Sequence, residues 1–152
     1  MALLFDTDAI SEVLRPRPDP GYLAWLATVP RDEQFASAIT LGELLYGAYR
    51  TAARARHLEM LEATVLPAIT FLPFDADVAR VYGRLAAALA DDETPLADAD
   101  LQIASTALHH DLDLVTGNLR HFRRLQELRI RALRPGAAAL HTRVSNSITY
   151  RR

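Results

Sequence analysis

Four acidic or amide side chains, Asp6, Glu43, Asp100 and Asn118, stand just past short apolar runs of the kind that form buried strands. In an open α/β sheet, ligands bind in the crevice beyond the carboxyl ends of the strands. If those strands are neighbours, residues far apart in the chain meet there in one acidic cup. Carboxylates gathered in this way repel one another, and a divalent cation relieves the repulsion while gaining hard oxygen ligands. The chemistry such a cup offers is metal-assisted attack on a phosphate ester.

Each residue also has a purely structural reading. Asp6 follows Leu3-Leu4-Phe5 directly, and an Asp at a strand-to-helix turn often serves as a cap; Asp8 is a second cap candidate there. Glu43 lies three residues after Thr40, which is the spacing of a capping box. Asp98 is placed to cap the helix that holds Leu101 and Ile103, leaving Asp100 in its first turn, where the helix dipole favours negative charge. Asn118 after Gly117 is an ordinary turn residue, or a fourth contact that orients a metal-bound water, with Thr116 assisting by hydrogen bonding. Thr7 adds a hydroxyl beside Asp6. The five histidines show no ligand spacing and read as surface or helix-end residues.

These residues need a scaffold. Apolar patterning predicts strands at 2–5, 34–39, 69–74, 112–116 and 130–133. The third carries Pro73 and belongs at or near a sheet edge. Helices are predicted at 8–14, 22–29, from Thr40, over 52–65, from an Asp75 cap to the acidic residues 91–93, over 99–109 and over 119–125. Strands alternating with helices predict a three-layer α/β/α fold around a mostly parallel sheet. The fold is expected over residues 1–135, with 136–152 an aperiodic, disordered tail.

The chain has 152 residues, enough for one domain with a substantial core. It has no cysteine, so any metal is held by oxygen or histidine. All 17 basic residues are arginine, which removes every mechanism that needs a catalytic lysine. Residues 1–118 hold 8 arginines against 18 carboxylates, whereas residues 119–152 hold 9 arginines against Glu127 alone. Nucleic acid could approach the basic end and be cut at the acidic one, although a basic face that only aids solubility has the same composition. No signal-like or membrane-spanning run is present, and a cytoplasmic protein is expected.

The segments Leu4-Phe5-Asp6-Thr7-Asp8-Ala9-Ile10-Ser11-Glu12, Ser37 to Gly47, Ala99 to Ala107 and Leu114 to Phe122, in this order, resemble the PIN domain of VapC-type and FitB-type toxins of bacterial toxin–antitoxin systems. The resemblance implies a Mg²⁺- or Mn²⁺-dependent endoribonuclease. It places metal-binding and catalytic roles on Asp6, Glu43 and Asp100, with Asn118 as a further catalytic position. Thr7 and Thr116 are possible accessories by their place beside these residues, and Asp98 is an extra carboxylate that could join the site or only cap its helix. It also implies a VapB- or FitA-like antitoxin that covers the groove, a homodimer within a larger toxin–antitoxin assembly, contact with DNA only through the antitoxin, and no membrane role. Two departures stand out. Asp8 occupies a place where Asn or Ser is commoner, and His121 replaces a frequent Asp.

Two rivals remain at this level. A haloacid-dehalogenase-like phosphatase would use Asp6 as nucleophile and Asp8 as acid/base. Ile10 breaks its usual signature, and the lysine that neutralises its phosphoaspartate is missing. The other is a PIN-like interaction module with a silent site.

Overall fold

The computed structural model describes residues 1–91 and 96–133. The expected tail over 136–152 lies outside the described residues, as do Asp92 and Glu93. Five strands, β1 (Leu3–Phe5), β2 (Gln34–Ser37), β3 (Thr70–Leu72), β4 (Asp113–Thr116) and β5 (Ile130–Ala132), form one sheet in the order β3-β2-β1-β4-β5. Every pairing is parallel, so the sheet is more uniform than the mostly parallel one expected. β3 lies at an edge, in keeping with Pro73 just beyond it.

Helices connect the strands: α1 (Thr7–Val13), α2 (Pro20–Leu26), α3 (Ala38–Arg50), α4 (Arg54–Met60), α5 (Ala76–Ala88), α6 (Asp98–His109) and α7 (Leu119–Phe122). The helix expected over 52–65 starts instead at Arg54 and widens into a π-helical stretch over Leu61–Val65. Asp19 caps α2 by accepting from the Tyr22 amide at 2.7 Å, with Pro20 in the first turn, where its missing N–H costs nothing. Asp75 caps α5 as expected, accepting from the amides of Asp77 and Val78.

Because side chains alternate across a strand, the sheet builds a core on each face. Leu3, Phe5 and Val115 point to one, with Ile10 and Tyr22 packed on them. Leu4 and Leu114 point to the other, against Leu101, Ile103 and Phe122. The chain order reverses at β1: β2 and β3 extend to one side, β4 and β5 to the other. A crevice therefore opens beyond the ends of β1 and β4, the usual ligand position in such sheets.

Candidate active site

Asp6 is the first residue past β1. Its amide continues the ladder by donating to Val115 O at 3.1 Å, which fixes the residue over β4. Its Oδ1 accepts from the Ala9 amide at 2.8 Å, so Asp6 caps α1 and Asp8, the other cap candidate, does not. Asp6 is only 4 % exposed. Burial pushes its carboxyl up from the ordinary 3.8 to about 7, against lowering hydrogen bonds from Thr116 and the Ala9 amide and with added repulsion from Asp8 and Asp100. A carboxylate that needs a counter-charge is thus held rigidly at the switch point of the sheet.

Asp8 stands over the turn after β4. A Cβ placed on Gly117 would lie 3.8 Å from Asp8 Cβ and 3.4 Å from Leu133 Cδ2, both ordinary van der Waals distances, so Asp8 borders this turn directly. Asp8, by sequence a cap candidate or the acid of a phosphatase, lies instead beside Asp6 and adds to the repulsion on it.

Glu43 does not close a capping box with Thr40. β2 ends at Ser37, and Ser37 caps α3 by accepting from the Ile39 amide at 3.2 Å, which leaves Thr40 inside the helix and buried. Glu43 is carried into the second turn and is free for another partner. Thr7 supplies it, donating to Oε1 at 2.6 Å. Ser37 also lies 3.2 Å from Thr106 on α6. The Thr106 hydroxyl donates its one proton to Gln102 O, so Ser37 is the donor in that pair, tying the start of α3 to α6.

Asp100 does not follow a strand; it arrives on the first turn of α6. Asp98, expected to cap α6, sits inside the helix instead. The cap position belongs to Ala97, which has no side chain to bond, and Asp98 accepts from the Tyr82 hydroxyl at 3.2 Å. Asn118 occupies the position before α7 without capping it. Its amide donates to Thr116 Oγ1 at 2.9 Å, and its side-chain Nδ2 lies 2.7 Å from His121 Nδ1. That same Nδ1 is 3.0 Å from Asp100 Oδ2. His121 is therefore part of the cluster rather than an idle helix-end residue. The signal that could have identified it is its spacing three residues from Asn118, one turn along the same face.

A continuous arc of contacts results: Asp6, Thr116, Asn118, His121 and Asp100, with Asp8 beside Asp6 and the Thr7–Glu43 pair on the adjoining helix. Among the described residues no three His, Asp or Glu side chains already converge as a ligand set. Glu43 is occupied with Thr7, and Asp100 with His121. The donor chemistry nevertheless fits a hard divalent cation, because Asp6 is buried, repelled by two other carboxylates and without a basic partner among the groups that set its acidity.

Comparison with known proteins agrees with this architecture. The PIN-domain family profile matches residues 3–128. The chain is 35 % identical over 125 residues to the toxin FitB of Neisseria gonorrhoeae, covering 79 % of this chain and 90 % of that protein. It is equally 35 % identical over 125 residues to a VapC ribonuclease of Sinorhizobium fredii, covering 79 % of this chain and 89 % of the relative. Among solved structures, FitAcB from N. gonorrhoeae superposes with a TM-score of 0.77 at 32 % identity, over 84 % of this chain and 95 % of that one. With its parallel sheet and acidic switch point, the chain belongs to the PIN-domain family, alongside the VapC and FitB toxins.

Proposed function

We propose that this protein is the toxin of a toxin–antitoxin pair, a cytoplasmic endoribonuclease that depends on Mg²⁺ or Mn²⁺. The observation that carries the reading is the buried Asp6 carboxyl, raised to about 7 and facing Asp8 and Asp100 at the carboxyl ends of β1 and β4. Holding an unpaired carboxylate there costs stability, and a bound divalent ion is the function that repays it. Relatives named as ribonucleases support RNA as the substrate.

Asp6 and Asp100 would hold the ion, with Glu43 as a further ligand or as base toward the attacking water once it leaves Thr7. The ion would acidify a bound water and offset the charge that develops on the phosphate. Asn118 orients that region through its contacts to Thr116 and His121. Thr116, fully buried, is the hydroxyl partner that favours the charged form of the Asp6 carboxyl. Asp98, turned toward Tyr82, stands as an accessory at the rim.

A cleft of about 330 Å³ leads away from this site, lined by Thr7, Ser11, Leu14, Glu43, Gly47 and His57 among others. It suits an extended antitoxin segment that reaches Glu43 along α1 and α3. Solved relatives are toxin–antitoxin complexes, among them DNA-bound VapBC from Salmonella typhimurium, which supports an antitoxin partner, a higher assembly and a DNA contact made through it. We further propose a homodimer as the toxin unit.

A substrate panel tests the reading. The protein, purified free of antitoxin, is incubated with Mn²⁺ or Mg²⁺ and single-stranded RNA, DNA of the same sequence, or a phosphomonoester. Cleavage of RNA alone is expected. Hydrolysis of the monoester alone would return the choice to the phosphatase, and silence on all three would leave an interaction module.

A further inference from the structure

His121 Nδ1 stands between two groups that make opposite demands on it. Asp100 Oδ2, 3.0 Å away, needs a proton donor, and Asn118 Nδ2, 2.7 Å away, needs an acceptor. One ring nitrogen offers either a proton or an in-plane lone pair. With a proton, it satisfies Asp100 and meets the amide N–H head-on. With a lone pair, it accepts from Asn118 and faces the carboxylate lone pair to lone pair. Turning the Asn118 amide, whose oxygen and nitrogen are assigned from such contacts, leaves its oxygen and the carboxylate competing for a single proton.

One ring nitrogen cannot serve both groups, so water supplies the partner of whichever one it leaves. A cation can take that water's place, because it accepts lone pairs from an imidazole nitrogen, a carboxylate and an amide oxygen together. The spacing agrees. Neighbouring ligands of an octahedral ion with bonds of about 2.1 Å stand about 3.0 Å apart, and Asp100 Oδ2 and His121 Nδ1 are separated by 3.0 Å. Both side chains are open to solvent, His121 at 51 % and Asp100 at 24 %, so water and substrate can reach the same ion.

We propose that His121 is a metal ligand through Nδ1, sharing with Asp100 the divalent ion of the nuclease site, and that this nitrogen tilts the site toward first-row transition ions, Mn²⁺ among them, and away from Mg²⁺. The inference rests on the metal-dependent reading above and adds a nitrogen donor to what was otherwise an oxygen site. Mg²⁺ favours oxygen ligands and retained waters, whereas an imidazole donor favours the transition series. His121 is carried on α7, and its Nδ1 already lies within hydrogen-bond reach of both Asn118 and Asp100.

The test uses Mn²⁺ as a spectroscopic probe of the full chain. Pulsed electron paramagnetic resonance of the Mn²⁺ complex should show coupling to an imidazole nitrogen, altered when histidine is labelled with ¹⁵N and lost in His121→Gln and His121→Asp. Calorimetry should show the Mn²⁺-to-Mg²⁺ affinity ratio falling by roughly tenfold or more in His121→Asp. Thermal melts of both variants serve as the folding control, and the two substitutions must agree. Mn²⁺ bound in a manner that needs Asp6, but with no nitrogen coupling and an unchanged ratio, would overturn the proposal and leave the metal-dependent reading standing. Failure of the wild-type protein to bind Mn²⁺ at all would overturn both.

Discussion

The hydroxyl of Thr7 donates to Oε1 of Glu43 across 2.6 Å, joining the residue after Asp6 to the second turn of α3. This bond decides where Glu43 points, because the helix begins at Ser37 and frees the glutamate from any cap.

Removing it should therefore affect turnover more than folding. Thr7→Val is expected to cost about 1 kcal/mol of stability and to slow RNA cleavage by roughly ten- to a hundredfold through loss of positioning. Thr7→Ser should retain most of the activity. Denaturant melts and single-turnover cleavage rates distinguish the two effects; a rate unchanged in Thr7→Val would remove Thr7 from the site.

Asp6 should make the metal-free protein less stable as pH rises. Its carboxyl titrates near 3.8 when exposed and at about 7 in the fold, so in that window the folded chain holds a proton the unfolded chain has released. The stabilising contribution is complete below about pH 4 and is lost as pH climbs through 7. Asn at this position still accepts from the Ala9 amide and carries no charge. Asp6→Asn should match the wild type at pH 4 and exceed it in metal-free buffer at pH 8 by on the order of 4 kcal/mol. Divalent metal should narrow that gap by stabilising only the wild type. Urea melts across pH measure this directly, and parallel curves for the two proteins would refute it.

Thr116→Val tests the arc of hydrogen bonds. Its hydroxyl is among the contacts that lower the Asp6 carboxyl against burial. Without it, Asp6 should titrate higher still, and the acidic limb of the cleavage pH profile should move up by roughly half to one pH unit. A loss of activity uniform at every pH would indicate a packing defect instead.

Asp113 behaves in the opposite sense at the amino end of β4, away from the site. Burial acts to raise its carboxyl, but Arg129 at 2.6 Å and Arg131 at 3.1 Å overcome burial and hold it below the ordinary value. Its contribution is present at neutral pH and lost as pH falls through the lowered value. Asp113→Asn should cost roughly 1–3 kcal/mol at pH 7 while leaving the catalytic rate per folded molecule intact. Paired melting and activity measurements would contradict this if the rate fell with stability unchanged.

The alternation of strands and helices was legible because it rests on local apolar periodicity, and Pro73 marked the edge strand. Helix starts were less so. Thr40 and Ser37 both look like caps, and the choice of Ser37 depends on its buried contact with Thr106 from α6, which no local window contains. Asp8 and Asp98 were read as caps for the same reason, since capping chemistry is common to acids near a helix start. Asp6 and Asp100 stood out as acids at turns, but the tertiary fold alone brings His121 against Asp100 and raises the Asp6 carboxyl. His121 carried no signal beyond its spacing from Asn118, because a lone histidine on a short helix has many uses.

The most direct measurement is cleavage of single-stranded RNA by wild-type protein and by Asp6→Asn during titration with Mn²⁺ and Mg²⁺, with a chelator added at the end. A wild-type rate that rises with metal and collapses on chelation, beside an Asp6→Asn protein that is folded yet slower by two or more orders of magnitude, is the expected result. Cleavage that persists in the chelator, or that Asp6→Asn performs as well as the wild type, would contradict the assignment of this acidic switch point as the catalytic site.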